Sequence, residues 1–341
     1  MNYMLSLSIL DPLYQVFGLL MRFMYGWLQN YGLVIIVVNL AIKAILMPVN
    51  MRMSKNMARQ LFLQDDINEI KRVYSNDPQR AQAAQMDLMK QHNISMTGGC
   101  LPQLLQFLVL IAIWRPIQRP LFYIAGVAQD SLQQITQLLV DQGSLGANAL
   151  KTVGASDVGI LAALRSNGQA LAQAVENGWI QLSQVLDLNF LGMDLGVTPS
   201  FLPAKLFGPE KSTYLPLFIL VVVMMITMFL QLKISRQAMP QQTRTKEEKA
   251  RDASNPAKHD QVQEQSATMM KSMNIFMPAM MIWMAFTLPA AMALFWLTSN
   301  IMGIIQSLLS YNFYTKPALA LVEARKAEKQ VPRRRRNTSE Q

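Results

Sequence analysis

Apolar residues run through this chain in long blocks, not in the short alternations of a water-soluble fold. Leu33 to about Met51 (LVIIVVNLAIKAILMPVNM) is one block, Cys100 to about Tyr123 a second, and Leu215 to Ile234 a third. Met273 to Phe313 is a fourth, about forty residues that would make a single helix about 60 Å long, twice the thickness of a hydrocarbon core. Pro289, in Thr287-Leu288-Pro289-Ala290, supplies a turning point, so this block reads as two spans. A core about 30 Å thick takes roughly 20 helical residues. The pattern therefore predicts an all-α polytopic membrane protein with spans over 31–51, 100–123, 214–234, 270–288 and 290–312. The fourth is short and is expected to tilt or to thin the bilayer.

The stretches between the blocks have their own periodicities. Residues 1–30 carry Tyr14, Phe17, Phe23, Tyr25 and Trp27 around Arg22, which suits a helix lying in the membrane interface; a sixth span is the alternative. In 52–99, Leu61, Ile67, Ile70 and Tyr74 recur at helical spacing, as do Met86, Leu88 and Met89, with a break at Asn76-Asp77-Pro78. That predicts an amphipathic helical hairpin outside the bilayer. A long loop (124–213), a charged loop (235–269) and a basic tail (313–341) complete the plan.

Charge orients it. The 52–99 segment, the 235–269 loop and the tail hold most of the 31 Lys and Arg residues, including Arg333, Arg334, Arg335 and Arg336. The long loop has Lys151, Arg165, Lys205 and Lys211, outnumbered by Asp130, Asp141, Asp157, Glu176, Asp187, Asp194 and Glu210. Five spans place the three basic segments on one side, the cytoplasmic one, with the N-terminus outside and the C-terminus inside. Only 15% of the 341 residues are charged, against about 25% in an ordinary soluble protein. With the basic residues flanking spans, the net charge of +10 points to anionic lipid or ribosomal RNA and not to DNA. Asp11 and Pro12 interrupt the first apolar stretch, so no cleavable signal is expected. The single Cys100 and the distant His92 and His259 offer neither a disulfide nor a metal site. Nucleophile-elbow, zinc-protease and phosphate-loop motifs are missing, and no acidic pair sits inside a span, so neither an enzyme nor a cofactor is expected.

Polar positions inside the spans are the candidate chemistry. Lys43 lies about nine residues before Arg52, roughly 13 Å deeper along a helix axis. A lysine at mid-span costs about 2.5–3.5 kcal/mol on insertion scales, a cost that a hydrated cavity reduces. Asn39, at i−4, shares its face. The second span adds Gln103 and Gln106, and the fifth adds Thr298, Ser299, Asn300 and Gln306. Two readings stand on these residues alone: one shared hydrophilic recess, or a snorkelling lysine with Gln106 and Asn300 as hydrogen-bonding glue between helices.

Several motifs in order carry a resemblance. Tyr31-Gly32-Leu33-Val34-Ile35-Ile36 followed by Lys43 and Pro48, then Gly98-Gly99-Cys100-Leu101-Pro102-Gln103, then Phe276-Met277-Pro278, Leu288-Pro289 and Phe295-Trp296-Leu297-Thr298-Ser299-Asn300, resemble the YidC family of membrane protein insertases. The resemblance covers roughly 29–125 and 188–315; residues 128–187 look like an insertion. It implies five helices around a hydrophilic groove open to the cytoplasm and lipid, in the bacterial cytoplasmic membrane, acting on nascent membrane proteins without nucleotide hydrolysis. The groove's positive charge would receive an acidic substrate tail, with Lys43, Asn39, Gln103, Gln106, Ser299 and Asn300 as its lining. Leu105, Phe107, Leu108, Met292, Phe295 and Trp296 would form an apolar slide for the transmembrane segment; ordinary packing or lipid contact is the competing reading of those six. The resemblance also implies a mobile cytoplasmic hairpin; action alone, as a dimer or beside the Sec translocon are all open on the sequence. The Arg333–Arg336 run suits ribosomal RNA or anionic lipid. This chain departs from the family in carrying lysine at 43, where arginine is usual. A channel or transporter and a lipid scramblase remain the alternatives.

Overall fold

A computed structural model describes residues 10–74, 77–94, 101–238 and 276–330, without the side chains of 71, 78, 101–106, 326 and 328–330. The helices are α1 (Asp11–Leu28), α2 (Tyr31–Gln60), α3 (Gln64–Val73), α4 (Pro78–Gln91), α5 (Leu101–Gln118), α6 (Gln129–Asp141), α7 (Ala149–Thr152), α8 (Val158–Ser166), α9 (Gly168–Glu176), α10 (Pro203–Phe207), α11 (Lys211–Ala238), α12 (Phe276–Ala285), α13 (Ala290–Ser310) and α14 (Lys316–Gln330). The two-residue strands β1 (Asn189–Phe190) and β2 (Met193–Asp194) pair antiparallel. Among the described residues, helix stretches Tyr31–Ile70, Lys211–Ala238 and Ala290–Arg325 are long and apolar enough to cross a membrane, while Phe107–Gln118 and Phe276–Ala285 are shorter apolar helices. Past Met51, α2 runs on to Gln60 through residues that are mostly good helix formers, with no Gly or Pro to stop it. Pro48, Pro116 and Pro216 sit inside α2, α5 and α11, where membrane helices tolerate the lost intrahelical bond if the freed carbonyl finds another partner.

The chain divides into two compact units. The first comprises Met1–Ile45, Leu104–Met228 and Pro278–Met302. In it α1 packs on a π-helical turn, Leu121–Ala125, that follows α5. Arg22 fixes that contact by donating Nε to the Ile124 carbonyl at 3.0 Å and a guanidinium NH to the Tyr123 carbonyl at 3.2 Å. Gly126 closes the turn with a φ of +75°, and a side chain there would also meet the Arg22 guanidinium, so both backbone and space require glycine. The exposed face of α1 shows Val16, Leu19, Phe23 and Trp27, while Tyr14, Gly18 and Met21 are buried.

The same unit holds the long loop, and two of its attachments to the helices are made by single polar side chains. At the first, Asp157 precedes α8 and is fully buried. Its carboxylate accepts from the amides of Leu121 (3.1 Å) and Phe122 (3.0 Å), and its own amide donates to the Gln118 carbonyl at 3.0 Å. The amides at a helix start have no partner within the helix, so a remote carboxylate here does what a capping residue does locally. At the second, the β hairpin sits on the start of α2: Asn30 donates to the Asn189 carbonyl at 3.0 Å and accepts from the Leu33 amide at 3.0 Å. Gly32 lies against the Phe190 ring, leaving no room for a Cβ. Beyond the hairpin, the carbonyls of Val197 and Leu195 accept from the Ala290 and Ala291 amides at 3.0 and 2.9 Å, completing the N-terminus of α13.

The second unit comprises Leu46–Gln103, Phe229–Met277 and Gly303–Gln341. Its α3 and α4 form a hairpin whose core is Leu63, Ile67 and Ile94 with Leu88 and Met89 against it. Asp77 caps α4, accepting from the Arg80 amide at 3.0 Å. α14 packs against the 3-10 turn Leu61–Leu63. The transmembrane helices are joined here by small polar groups: Asn50 donates to Gln306 at 3.1 Å, Ser310 to Ser54 at 3.0 Å, and Ser235 pairs with Ser307 at 2.9 Å. Gly303 lets Gln231 come against its backbone.

Candidate functional site

In the first unit, polar side chains tie four helices in series. Tyr31 on α2 donates its hydroxyl to the Ile117 carbonyl of α5 at 2.9 Å. Asn39, also on α2, donates to the Phe295 carbonyl and to Ser299 Oγ of α13, each at 2.9 Å. Asn300 of α13 reaches α11, donating to the Met224 carbonyl at 3.2 Å and to Thr227 Oγ1 at 3.4 Å. Asn39, Ser299 and Asn300 are all buried. In a medium without water such groups must find each other, at about 0.6–2 kcal/mol per pair.

Lys43 stands one turn beyond Asn39 on the same face of α2 and is half-buried. Gln103, Leu105 and Gln106 fall on α5, but their side chains lie outside the described residues, as do Gly98, Gly99 and Cys100 and the Arg333–Arg336 run. Of the six residues expected as an apolar slide, the five whose side chains are described do not share one surface. Phe107 and Leu108 face outward, 57% and 44% exposed, whereas Met292, Phe295 and Trp296 are packed in the interior of the unit. The reason is local. Pro289 sets the start of α13, and the loop carbonyls seat its first turns inside the bundle, so Ala290 through Trp296 are all buried. The recess residues divide likewise: Asn39, Ser299 and Asn300 spend their polar atoms on neighbouring helices, and Lys43 carries the charge.

The sequence alone gives no structural role to Asp157, Tyr31 or Thr227. Asp157 is the most perturbed of the groups outside the spans. Burial pushes its carboxyl up to about 7, against the pull of the Phe122 and Leu121 amides and the Arg119 charge. Its one visible signal was an acid just before an apolar helical stretch, which reads as an ordinary N-cap. Beside it Arg119 is buried, stacked 4.4 Å over the Phe122 ring and bonded to Gln129. Arg115 donates to the Gly154 carbonyl at 2.9 Å. Among the described residues no group of His, Cys, Asp and Glu could hold a metal ion.

Comparison with known proteins places this architecture. The family model described as 60Kd inner membrane protein matches residues 23–317. The membrane protein insertase YidC of Clostridium tetani is 41% identical over 108 residues, covering 30% of this chain and 49% of that protein. The YidC of Fusobacterium nucleatum is 34% identical over 106 residues, 31% of this chain and 52% of its own length. That of Geotalea daltonii is 34% identical over 96 residues, 28% and 18% respectively. The aligned part thus spans about half the length of the first two relatives and less than a fifth of the third.

Proposed function

We propose that this chain, which belongs to the 60Kd inner membrane protein family, is a membrane protein insertase of the bacterial cytoplasmic membrane. The similar proteins from Clostridium tetani and Fusobacterium nucleatum bear that name. In this reading α2, α5, α11, α12 and α13 are the five spans, the long loop is outside, and the α3–α4 hairpin and the tail are in the cytoplasm. The excess of Lys and Arg in 52–99, 235–269 and 313–341 supports that orientation.

The observation that carries the mechanism is Lys43, a half-buried cation one helical turn from the buried Asn39–Ser299 pair. A cation held part-way through the bilayer by a polar neighbourhood attracts the acidic tail of a substrate and lowers the cost of moving it off the cytoplasmic surface. Lys43 is the receiving cation of the hydrophilic groove, and Asn39, Ser299 and Asn300 make its supporting wall. Phe107 and Leu108 offer the outward apolar surface along which a transmembrane segment partitions into lipid, while Met292, Phe295 and Trp296 pack in the interior. No bond is made or broken, so no cofactor or hydrolysis enters. Nascent membrane proteins are the substrates, the Arg333–Arg336 run meets ribosomal RNA or anionic lipid, and the Sec translocon is a further partner.

Depletion of the protein followed by insertion of a single-span substrate with a short acidic outer tail tests the reading. Loss of translocation of that tail, restored by the purified chain in proteoliposomes, is the expected result. Solute flux without insertion would mean a transporter, and lipid flipping without insertion a scramblase.

A further inference from the structure

Four large apolar side chains stand out between the β hairpin and α11: Leu191, Phe201, Leu202 and Phe207, with Leu191 82% exposed. Leu191 also holds a φ of +51° at the hairpin tip, a conformation that Gly, Asn or Asp takes easily and a leucine does not. Facing water, a strained leucine at that tip would gain nothing. Facing hydrocarbon, it is solvated by its surroundings. These residues mark where the segment meets the membrane boundary. Four residues after Phe207, α11 begins, and beside its first turns lies a groove of about 340 Å³ whose lining includes Leu191, Met193, Leu215, Ile219, Val223 and Leu297. At that depth the groove gives water no polar partner, so a hydrocarbon chain is its fitting occupant.

The charge at the loop end of the groove is the second observation. The long loop has only Lys151, Arg165, Lys205 and Lys211 as basic residues, and the last two flank the start of α11. Lys205 donates Nζ to the Tyr214 hydroxyl at 3.0 Å and lies 4.4 Å over its ring, which holds the ammonium beside the residue preceding Leu215. Lys211 stands one turn before Leu215 on the same helix face. Glu210, the one acid between 201 and 214, offsets part of this charge and leaves a net positive rim.

We propose that this groove binds an acidic diacyl phospholipid from the leaflet on the long-loop side, with one acyl chain lying along α11 between Leu191 and Val223 and the phosphate between Lys205 and Lys211. The site is separate from Lys43 and does not depend on insertase activity; only its assignment to the outer leaflet rests on the orientation proposed above. The apolar seat serves any phospholipid, and the two ammonium groups select a headgroup of net negative charge.

Native mass spectrometry of the full chain in detergent, with dioleoyl phosphatidylglycerol or dioleoyl phosphatidylcholine added at equal concentration, reads the site directly. Wild-type protein retains one phosphatidylglycerol in preference to phosphatidylcholine. Each of Lys205→Ala and Lys211→Ala lowers phosphatidylglycerol occupancy roughly five-fold, and the pair together erases the preference. Ile219→Trp, at an outward position whose replacement removes no core packing, fills the groove and lowers both lipids. Phosphatidylglycerol retention unchanged by the double lysine variant, or by Ile219→Trp, overturns the proposal. Equal retention of the two lipids by wild-type protein means annular lipid only and overturns it too.

Discussion

Asn39 and Ser299 are hydrogen-bonded in both directions: the Asn39 amide donates to Ser299 Oγ at 2.9 Å, and that hydroxyl donates back to Asn39 Oδ1 at 3.2 Å. Both side chains are buried, and Asn39 also holds the Phe295 carbonyl, so the pair fixes the register of α2 against α13. Asn39→Leu strands partners in a dry interior and should lower stability in detergent by about 1–3 kcal/mol. Thermal unfolding of Asn39→Leu, Ser299→Ala and the double variant checks it; additive losses would mean that the two residues are not coupled.

Lys43 is the position where charge and structure are to be separated. Lys43→Arg keeps a cation and should retain insertion of an acidic-tailed substrate, whereas Lys43→Ala should reduce it several-fold, most for the most acidic tails. Translocation of a series of tails carrying zero to three acids, in a strain depleted of the endogenous protein, measures this. Equal insertion by wild type and Lys43→Ala would remove the electrostatic role.

Burial dictates the surface a substrate meets. A photoreactive residue at Phe107 or Leu108, both outward, should crosslink to a stalled nascent chain, and one at Met292 or Trp296, both interior, should crosslink within the protein. The reverse pattern would place the slide on α13.

Asp157 gives the long loop a pH dependence whose sign is fixed. Its carboxyl is raised from 3.8 to about 7 in the folded protein. A raised acid stabilises the folded form fully below its unfolded value, and that contribution is lost as the pH climbs through about 7. The loop is therefore held more tightly at about pH 5 than at about pH 8.5. Hydrogen exchange at the Leu121 and Phe122 amides, corrected for intrinsic rates, should show greater protection at the lower pH, and Asp157→Asn should flatten the difference.

Gly32 is a steric prediction. Its missing Cβ makes room for the Phe190 ring, so Gly32→Ala must push the β hairpin off α2. A loss of about 1–3 kcal/mol is expected, as for overpacked sites generally. Gly32→Ala combined with Phe190→Ala should recover part of it, read as a rise in unfolding temperature over the single variant.

How much of this was open to the sequence depends on how far apart the partners lie. The long apolar runs of α2, α11 and α13 are local properties, as are the break before Pro289 and the shared face of Asn39 and Lys43. The pairing of Asn39 with Ser299 is not, because it joins residues 260 positions apart. The slide shows the same limit. Phe107 and Trp296 are alike in composition terms, and what sends one outward and the other inward is the seating of α13 under the loop. Asp157 was hardest to see. Its role depends on where α5 stops and the π-helical turn begins, a change at Gln118 to Leu121 that no apolar period announces.

The carbonyls of Leu195 and Val197, which complete the first turn of α13, also set an order of events during synthesis. They leave the ribosome before α11, α12 and α13 have been made, so the acceptors for the last apolar helix are synthesised ahead of the amides they take. Until α13 arrives, those carbonyls and the Asn39 side chain stand open at the place it will fill. For that interval the bundle is half-built, its polar groups waiting on a helix still to come.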